Sequence, residues 1–412
     1  MIQFEEFTLK NGLEVIIQPD SKVSTVCVNI LYKVGSRNEN PEKTGFAHLF
    51  EHLMFGGSKH IKNFDEELQA VGGENNAFTS TDITNYYITI PSTNLETALW
   101  LESDRMLSLS FDPQVLEVQR KVVIEEFKQR YLNQPYGDLW LKLRPEAYRV
   151  HPYRWATIGK EISHIEEATM EDVKKFFSSY YHPGNAILVL AGDITPENGR
   201  ILAEKWFGPI PSQETPADKI PKEPKQQEQR FVEISAEVPQ NMITKVFHMP
   251  GRSDYEKYVR ADLVSDLLGR GKSSRLYDQL VKKMPLFSSL NAYVMGSMDP
   301  GLLVVSGKLS NGTFEKAEEA IQREIDSFLD TGIEAAELDK VKNMALSSIV
   351  FSEVEILNRA MSLAFAKYLG NVNLVNEEID LIESITAAEL LESARNILRP
   401  SNETTLRYRK KD

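Results

Sequence analysis

A pattern that opens at Thr169 returns 217 residues later at Thr386, and a chain that carries one pattern twice is constrained to build one unit twice. Thr169-Met-Glu-Asp172 and Thr386-Ala-Ala-Glu389 both resemble capping boxes, in which a hydroxyl and an acid three residues on satisfy the free N–H groups at a helix start. Fourteen residues after each threonine comes a Pro-x-Asn element, in His182-Pro183-Gly184-Asn185 and in Arg399-Pro400-Ser401-Asn402. A strand-like segment follows each, AILVLAG in the first copy and ETTLRYR in the second. Cap, helix length, proline and strand all agree, so the expected architecture is a duplicated α+β unit.

Gly208 to Gln229 (GPIPSQETPADKIPKEPKQQEQ) holds five prolines, many charges and almost no apolar periodicity, and reads as a linker. The expected division is therefore an N-terminal domain over 1–208, a linker over 209–229 and a homologous C-terminal domain over 230–412. In the first half, strands fit 13–18, 24–33, 84–90 and 186–192, and helices fit 43–55, 63–71, 94–108, 113–132 and 169–181. Paired strands mixed with helices predict antiparallel-rich sheets covered by helices, an α+β class rather than a doubly wound one.

Composition narrows the function. With 42% hydrophobic and 26% charged residues the chain is ordinarily globular, and no apolar run reaches the roughly 18 residues of a membrane span. The N-terminus, MIQFEEFTLKNGLEV, lacks the basic and apolar regions of a signal peptide, so a cytoplasmic location is expected, or a periplasmic one if a signal had been removed. Cys27 is the only cysteine, which rules out an internal disulfide framework or thiolate cluster and leaves His and carboxylates as the available metal ligands. A formal charge of -13 argues against nucleic acid as a partner.

The sharpest chemical feature is HLFEH at 48–52, ahead of the helix-ending pair Gly56-Gly57. His48 and His52 stand one helical turn apart and project from one face, where both can bind one metal ion. Glu51 shares that face and is placed to take a proton from a water as general base. This is the inverted zincin pattern His-x-x-Glu-His. A catalytic zinc normally takes three protein ligands, so a carboxylate on another helix is required. The helix that opens at Asp112-Pro113 offers Glu117, Glu125 and Glu126, and spacing alone does not choose among them.

Taken together, NGLEVI, GFAHLFEHLMF, GGENNAFTSTDITNYY at 72–87, QRKVVIEEF at 119–127, HPYRWATIG at 151–159 and YYHPGNAILVLAGD at 180–193 resemble the pitrilysin and mitochondrial-processing-peptidase family of zinc metallopeptidases. The resemblance implies Glu126 as third ligand, with Glu125 the minority choice, and one zinc ion per chain. It also implies that Asn76 and Ala77 lie on an edge strand beside the zinc, where backbone groups add an extended peptide as a further strand. Where relatives often carry a glutamate seven residues before the ligand, this chain has Gln119, which can reach the ligand shell by hydrogen bonding but brings no charge.

The second half departs from the family pattern. In single-chain and homodimeric relatives, Ser-Arg-Leu-x-x-x-Leu-Arg-x-x-x-Gly-Leu-x-Tyr supplies an arginine and a tyrosine to the substrate. Here the segment that begins Ser274-Arg275-Leu276 has Val281 and Ser288 at those two positions, with Lys282 and Tyr293 as candidate substitutes. The resemblance therefore implies a bacterial heterodimer-type subunit whose homologous partner carries the pair, the alternative being a homodimer. Gly269-Arg270-Gly271-Lys272-Ser273 resembles the end of a P-loop, but Asp266 stands where the first glycine should be and disfavours nucleotide. The expected function is a zinc endopeptidase subunit that cleaves unfolded peptides inside a closed chamber. The alternative is a non-catalytic assembly subunit of the same family.

Overall fold

In the computed structural model, which describes residues 1–217 and 219–411, the two halves build sheets of matching strand order. The first sheet contains β1 (Glu5–Thr8), β2 (Glu14–Pro19), β3 (Thr25–Tyr32), β4 (Glu74–Thr79), β5 (Thr84–Pro91) and β6 (Ala186–Gly192). Their order is β1-β2-β6-β3-β5-β4, with β2 and β6 parallel and every other pair antiparallel. The second contains β7 (Arg230–Ala236), β8 (Met242–Met249), β9 (Phe287–Met295), β10 (Gly301–Leu309) and β11 (Glu403–Lys410). Their order is β7-β11-β8-β10-β9, again with one parallel pair, β7 and β11. Without β1 the two topologies coincide, so the fold is α+β with two homologous antiparallel-rich sheets covered by helices.

The duplication extends to single hydrogen bonds. Both capping boxes form, Thr169 with Asp172 and Thr386 with Glu389. Lys43 pairs with Asp172 at 2.6 Å, and Arg260, also 217 residues on, pairs with Glu389 at 2.9 Å. The buried Asn185 donates from Nδ2 to the carbonyl of Tyr180 at 2.9 Å, and Asn402 donates to that of Ile397 at 2.8 Å. Each asparagine thus occupies the last carbonyl of its helix and turns the chain into the central strand, β6 or β11. β6 is buried along its whole length, which explains its continuous apolar run AILVLAG.

The chain forms two compact units that are not contiguous in sequence. One comprises residues 1–129, 155–221 and 351–377, the other 130–154, 222–350 and 378–412. In the first unit, helix Ile356–Tyr368 lays Ile356, Ala360, Leu363 and Ala364 on Cys27, Leu31, Ile187 and Val189. In the second, helix Leu139–Ala147 lays Leu139, Leu143 and Ala147 among Val246, Val304 and Leu406. Leu139 and Ile356 are themselves 217 residues apart. The duplicated helices are thus exchanged: the one encoded in the first half serves the second sheet, and the reverse. Helical spacing such as 356, 360, 363 and 364 reveals an apolar face but not the sheet it will meet.

Replacing Asn185 or Asn402 by alanine should cost about 1–3 kcal/mol each, because a buried carbonyl loses its donor. Chemical denaturation of the two variants should give losses of similar size, and a neutral result at either position would contradict the equivalence of the two turns.

Candidate metal centre

All elements of the candidate site belong to the first unit. The histidine helix spans Phe46–Leu53, shorter at its start than the periodicity predicts, because Gly45 takes a left-handed conformation with φ at 90°. A Cβ there would lie 2.7 Å from the carbonyl oxygen of Ile158, so only glycine fits. Phe46, Leu49, Phe50 and Leu53 are buried and seat the helix, with the Phe50 ring 5.0 Å from that of Tyr181 and 5.3 Å from that of Phe176. Tyr86 on β5 donates its hydroxyl to the carbonyl of Phe50 at 3.2 Å.

The carboxylate helix spans Pro113–Phe127, started by Asp112, whose side chain accepts from the N–H of Gln114 at 2.8 Å. Leu116, Val123 and Phe127 are its buried stripe. After Phe127 the winding loosens into a π-helical turn over Lys128–Leu132, within the helix expected over 113–132. The three candidate carboxylates diverge. Glu117 pairs with Arg120 and Glu125 with Lys128, both at exposed positions, whereas Glu126 points at the histidines. Gln119 lies two turns before Glu126 and is half-buried.

One Glu126 oxygen lies 3.6 Å from His48 Nε2 and 3.5 Å from His52 Nε2. These separations are too long for hydrogen bonds. They fit ligands of one ion, because bonds of about 2.0–2.2 Å in a tetrahedral shell place neighbouring donor atoms about 3.4 Å apart. The three residues offer ligand atoms that all lie within 4.8 Å of one another, two imidazoles and a carboxylate, a donor set that suits zinc.

Glu51 is half-buried beside this group, and its side chain hydrogen-bonds with Thr79 at the end of β4. Burial raises its carboxyl above the usual range, the Thr79 contact and His52 pull it down, and the Glu126 charge pushes it up again. β4 is the edge of its sheet and, among the described residues, pairs only with β5. Asn76 is exposed on it, Ala77 is half-buried, and the Ala77 N–H is held by the Asn76 side-chain oxygen at 2.8 Å.

The sequence pattern described as "Insulinase (Peptidase family M16)" matches residues 14–159, and that described as "Peptidase M16 inactive domain" matches residues 167–345. The chain is 37% identical over 348 residues to a Helicobacter pylori protein called zinc protease PqqE, covering 82% of this chain and 77% of that one. The chain belongs to peptidase family M16. A Bacillus subtilis relative, called uncharacterized zinc protease YmxG, is 26% identical over 87% of this chain and 86% of its own. The crystal structure of a protease from Helicobacter pylori superposes with a TM-score of 0.93 at 31% identity, covering 99% of this chain and 100% of that one. Pitrilysin shares the fold at a TM-score of 0.78 and 19% identity, and this chain covers 45% of it. His48, Glu51, His52 and Glu126 all fall in the stretch matched by the insulinase pattern.

In the M16 chain's second unit, Val281 lies in a π-helical turn over Asp278–Lys283 and packs against the core, and Ser288 is the second residue of the edge strand β9. The Ser288 hydroxyl bonds Gln240 at 3.2 Å. Lys282 is paired with Asp278 at 3.6 Å, and Tyr293 is 37% exposed on β9. Asp266, the residue that spoils the P-loop pattern, pairs with Arg270 at 3.0 Å. No helix among the described residues is long and apolar enough to cross a membrane.

Sequence reasoning passed over one structural support of the site. Arg105, 1% exposed, grips the fully buried Glu102 through Nε at 2.9 Å and Nη2 at 2.5 Å. Its guanidinium lies over the rings of Tyr86 at 4.4 Å, Phe64 at 4.7 Å and Phe55 at 5.3 Å. Phe55 lies two residues past the end of the histidine helix and Tyr86 braces its middle, so a buried cation supports both groups that hold the helix. Arg105→Met should cost about 3–5 kcal/mol, because it strands the Glu102 carboxylate. Adding Glu102→Gln should recover part of that loss in a denaturation series, and a single variant as stable as wild type would contradict the account.

Proposed function

We propose that this chain is a zinc-dependent endopeptidase subunit, in which His48, His52 and Glu126 hold one zinc ion and Glu51 is the general base. The observation that carries the reading is the convergence of three ligand atoms from two helices within 4.8 Å, with Glu51 alongside. When bound there, zinc would supply a Lewis acid that polarises a peptide carbonyl and acidifies water.

The remaining work falls to protein groups. Glu51 sits one residue before His52 on the same helical face, so it can take a proton from the attacking water and pass it to the departing amine. β4 offers its free edge to an extended peptide as an additional strand, with Asn76 and Ala77 next to the reacting bond. The Asn76 side chain that holds the Ala77 N–H would give way to a peptide carbonyl. Strand addition demands an extended backbone, which favours unfolded peptides as substrates. Gln119 would steady the ligand helix without adding charge.

Val281 and Ser288 carry neither a guanidinium nor a phenol, so a homologous subunit is proposed to supply an arginine and a tyrosine for substrate, within a closed chamber. A second copy of this chain is the alternative partner.

Three outcomes follow. Zinc content should fall sharply in His48→Ala and Glu126→Gln but persist in Glu125→Gln; retention of zinc by Glu126→Gln would refute the ligand assignment. Glu51→Gln should keep its zinc while losing about 10²–10⁴-fold in turnover, and near-normal cleavage would exclude Glu51 as base. The isolated chain should be a poor peptidase, because misplacing a peptide by about 1 Å can cost on the order of 10²-fold. The deficit should appear in kcat/KM and not in metal content, and efficient cleavage without a second protein would overturn the partner reading.

A further inference from the structure

A helix begins with four N–H groups that lack intrahelical partners, and a side chain at the N-cap normally accepts from one of them. The helices that start after Asp112, Thr169 and Thr386 follow this rule, each capped by that residue itself. The histidine helix cannot, because its N-cap is Gly45. Glu39 fills the role from outside: one carboxylate oxygen accepts from the N–H of Gly45 and the other from the N–H of Ala47, both at 2.9 Å. Glu39 is only 6% exposed, and burial pushes its carboxyl up to about 8, while the bonds from the Ala47 and Gly45 N–H groups and the helix dipole favour its charged form.

Glu39 is itself anchored to the end of the substrate-edge strand. Its N–H donates to Ser36 at 3.3 Å, Ser36 donates to the carbonyl of Ser80 at 3.2 Å, and Arg37 donates to that of Thr81 at 2.9 Å. Ser80 directly follows β4, whose last residue, Thr79, contacts Glu51. The indole of Trp155 closes the loop by donating to Ser36 at 2.9 Å. A continuous set of hydrogen bonds therefore joins β4 to the first turn of the helix, and His48 is the third residue of that turn.

We propose that Glu39 is a positioning residue for the metal centre: it fixes the start and rotation of the eight-residue histidine helix relative to β4, and so aims His48 and Glu51. This inference rests on the zinc reading above. Gln at position 39 can offer only one accepting oxygen and would turn its amide toward one of the two N–H groups, whereas Asp keeps both oxygens on a shorter stem.

The test uses the whole chain as wild type, Glu39→Gln, Glu39→Asp and His48→Ala. Far-UV circular dichroism reports folding, chelator competition reports zinc affinity, and the visible spectrum of the Co2+-substituted protein reports ligand geometry. Glu39→Gln should fold, bind zinc about 10–100-fold more weakly and give an altered Co2+ spectrum, with Glu39→Asp in between. Wild-type affinity together with an unchanged Co2+ spectrum in a folded Glu39→Gln overturns the proposal. If that variant does not fold, Glu39→Asp carries the same two readouts, and collapse of both also overturns it, since Glu39 would then hold the whole unit and not one helix. Should wild type bind zinc no better than His48→Ala, it is the metal-centre reading that fails.

Discussion

Two imidazoles and a carboxylate face one another at 3.5 and 3.6 Å, too far apart to hydrogen-bond and close enough to compete for the same space. Such a group costs desolvation and does little to hold itself together, so the surrounding structure has to hold it. Much of the first unit is arranged to that end. Apolar side chains seat the histidine helix on Phe176 and Tyr181, Tyr86 fastens its middle, and Arg105 stacks beneath Phe55 and Tyr86. Glu39 holds its first turn. On the other side, Leu116, Val123 and Phe127 orient the helix that delivers Glu126.

The duplicated unit shows what that arrangement adds to a scaffold. Both halves keep the capping box, the acid-to-base pair at its third position, the asparagine turn and the parallel pair of strands. The histidine helix is peculiar to the first. In the second unit, helix Tyr255–Gly269 carries no histidine, and Asp266 on it is paired with Arg270. The repeat thus recurs in both halves, whereas the candidate ligands His48, His52 and Glu126 all lie in the stretch matched by the insulinase pattern.

Local features were legible in the sequence and non-local ones were not. The repeat, the strands of the first sheet and the two histidines with Glu51 could be read because each depends on spacing within one element. The proposed third ligand could not be chosen from spacing, because Glu117, Glu125 and Glu126 share one helix. What separates them is that the first two are engaged by Arg120 and Lys128 at the surface while Glu126 turns inward. Glu39 and Arg105 escaped for the same reason: a cap supplied from six residues upstream and a buried cation under three rings follow no sequence rule. The one available signal was Gly45, an N-cap with no side chain of its own, which requires an acceptor from elsewhere. The exchange of helices Leu139–Ala147 and Ile356–Tyr368 was equally silent, since an apolar face does not name its partner.

The central claim is that two helices present three ligands to one ion, and X-ray absorption at the zinc edge tests it most directly. The account predicts two imidazole nitrogens and a carboxylate oxygen at about 2.0–2.2 Å, completed by one further light donor and without sulfur. In Glu51→Gln, which should keep its zinc, the same shell should appear. A shell with fewer than two imidazoles, or one that includes sulfur, would contradict it.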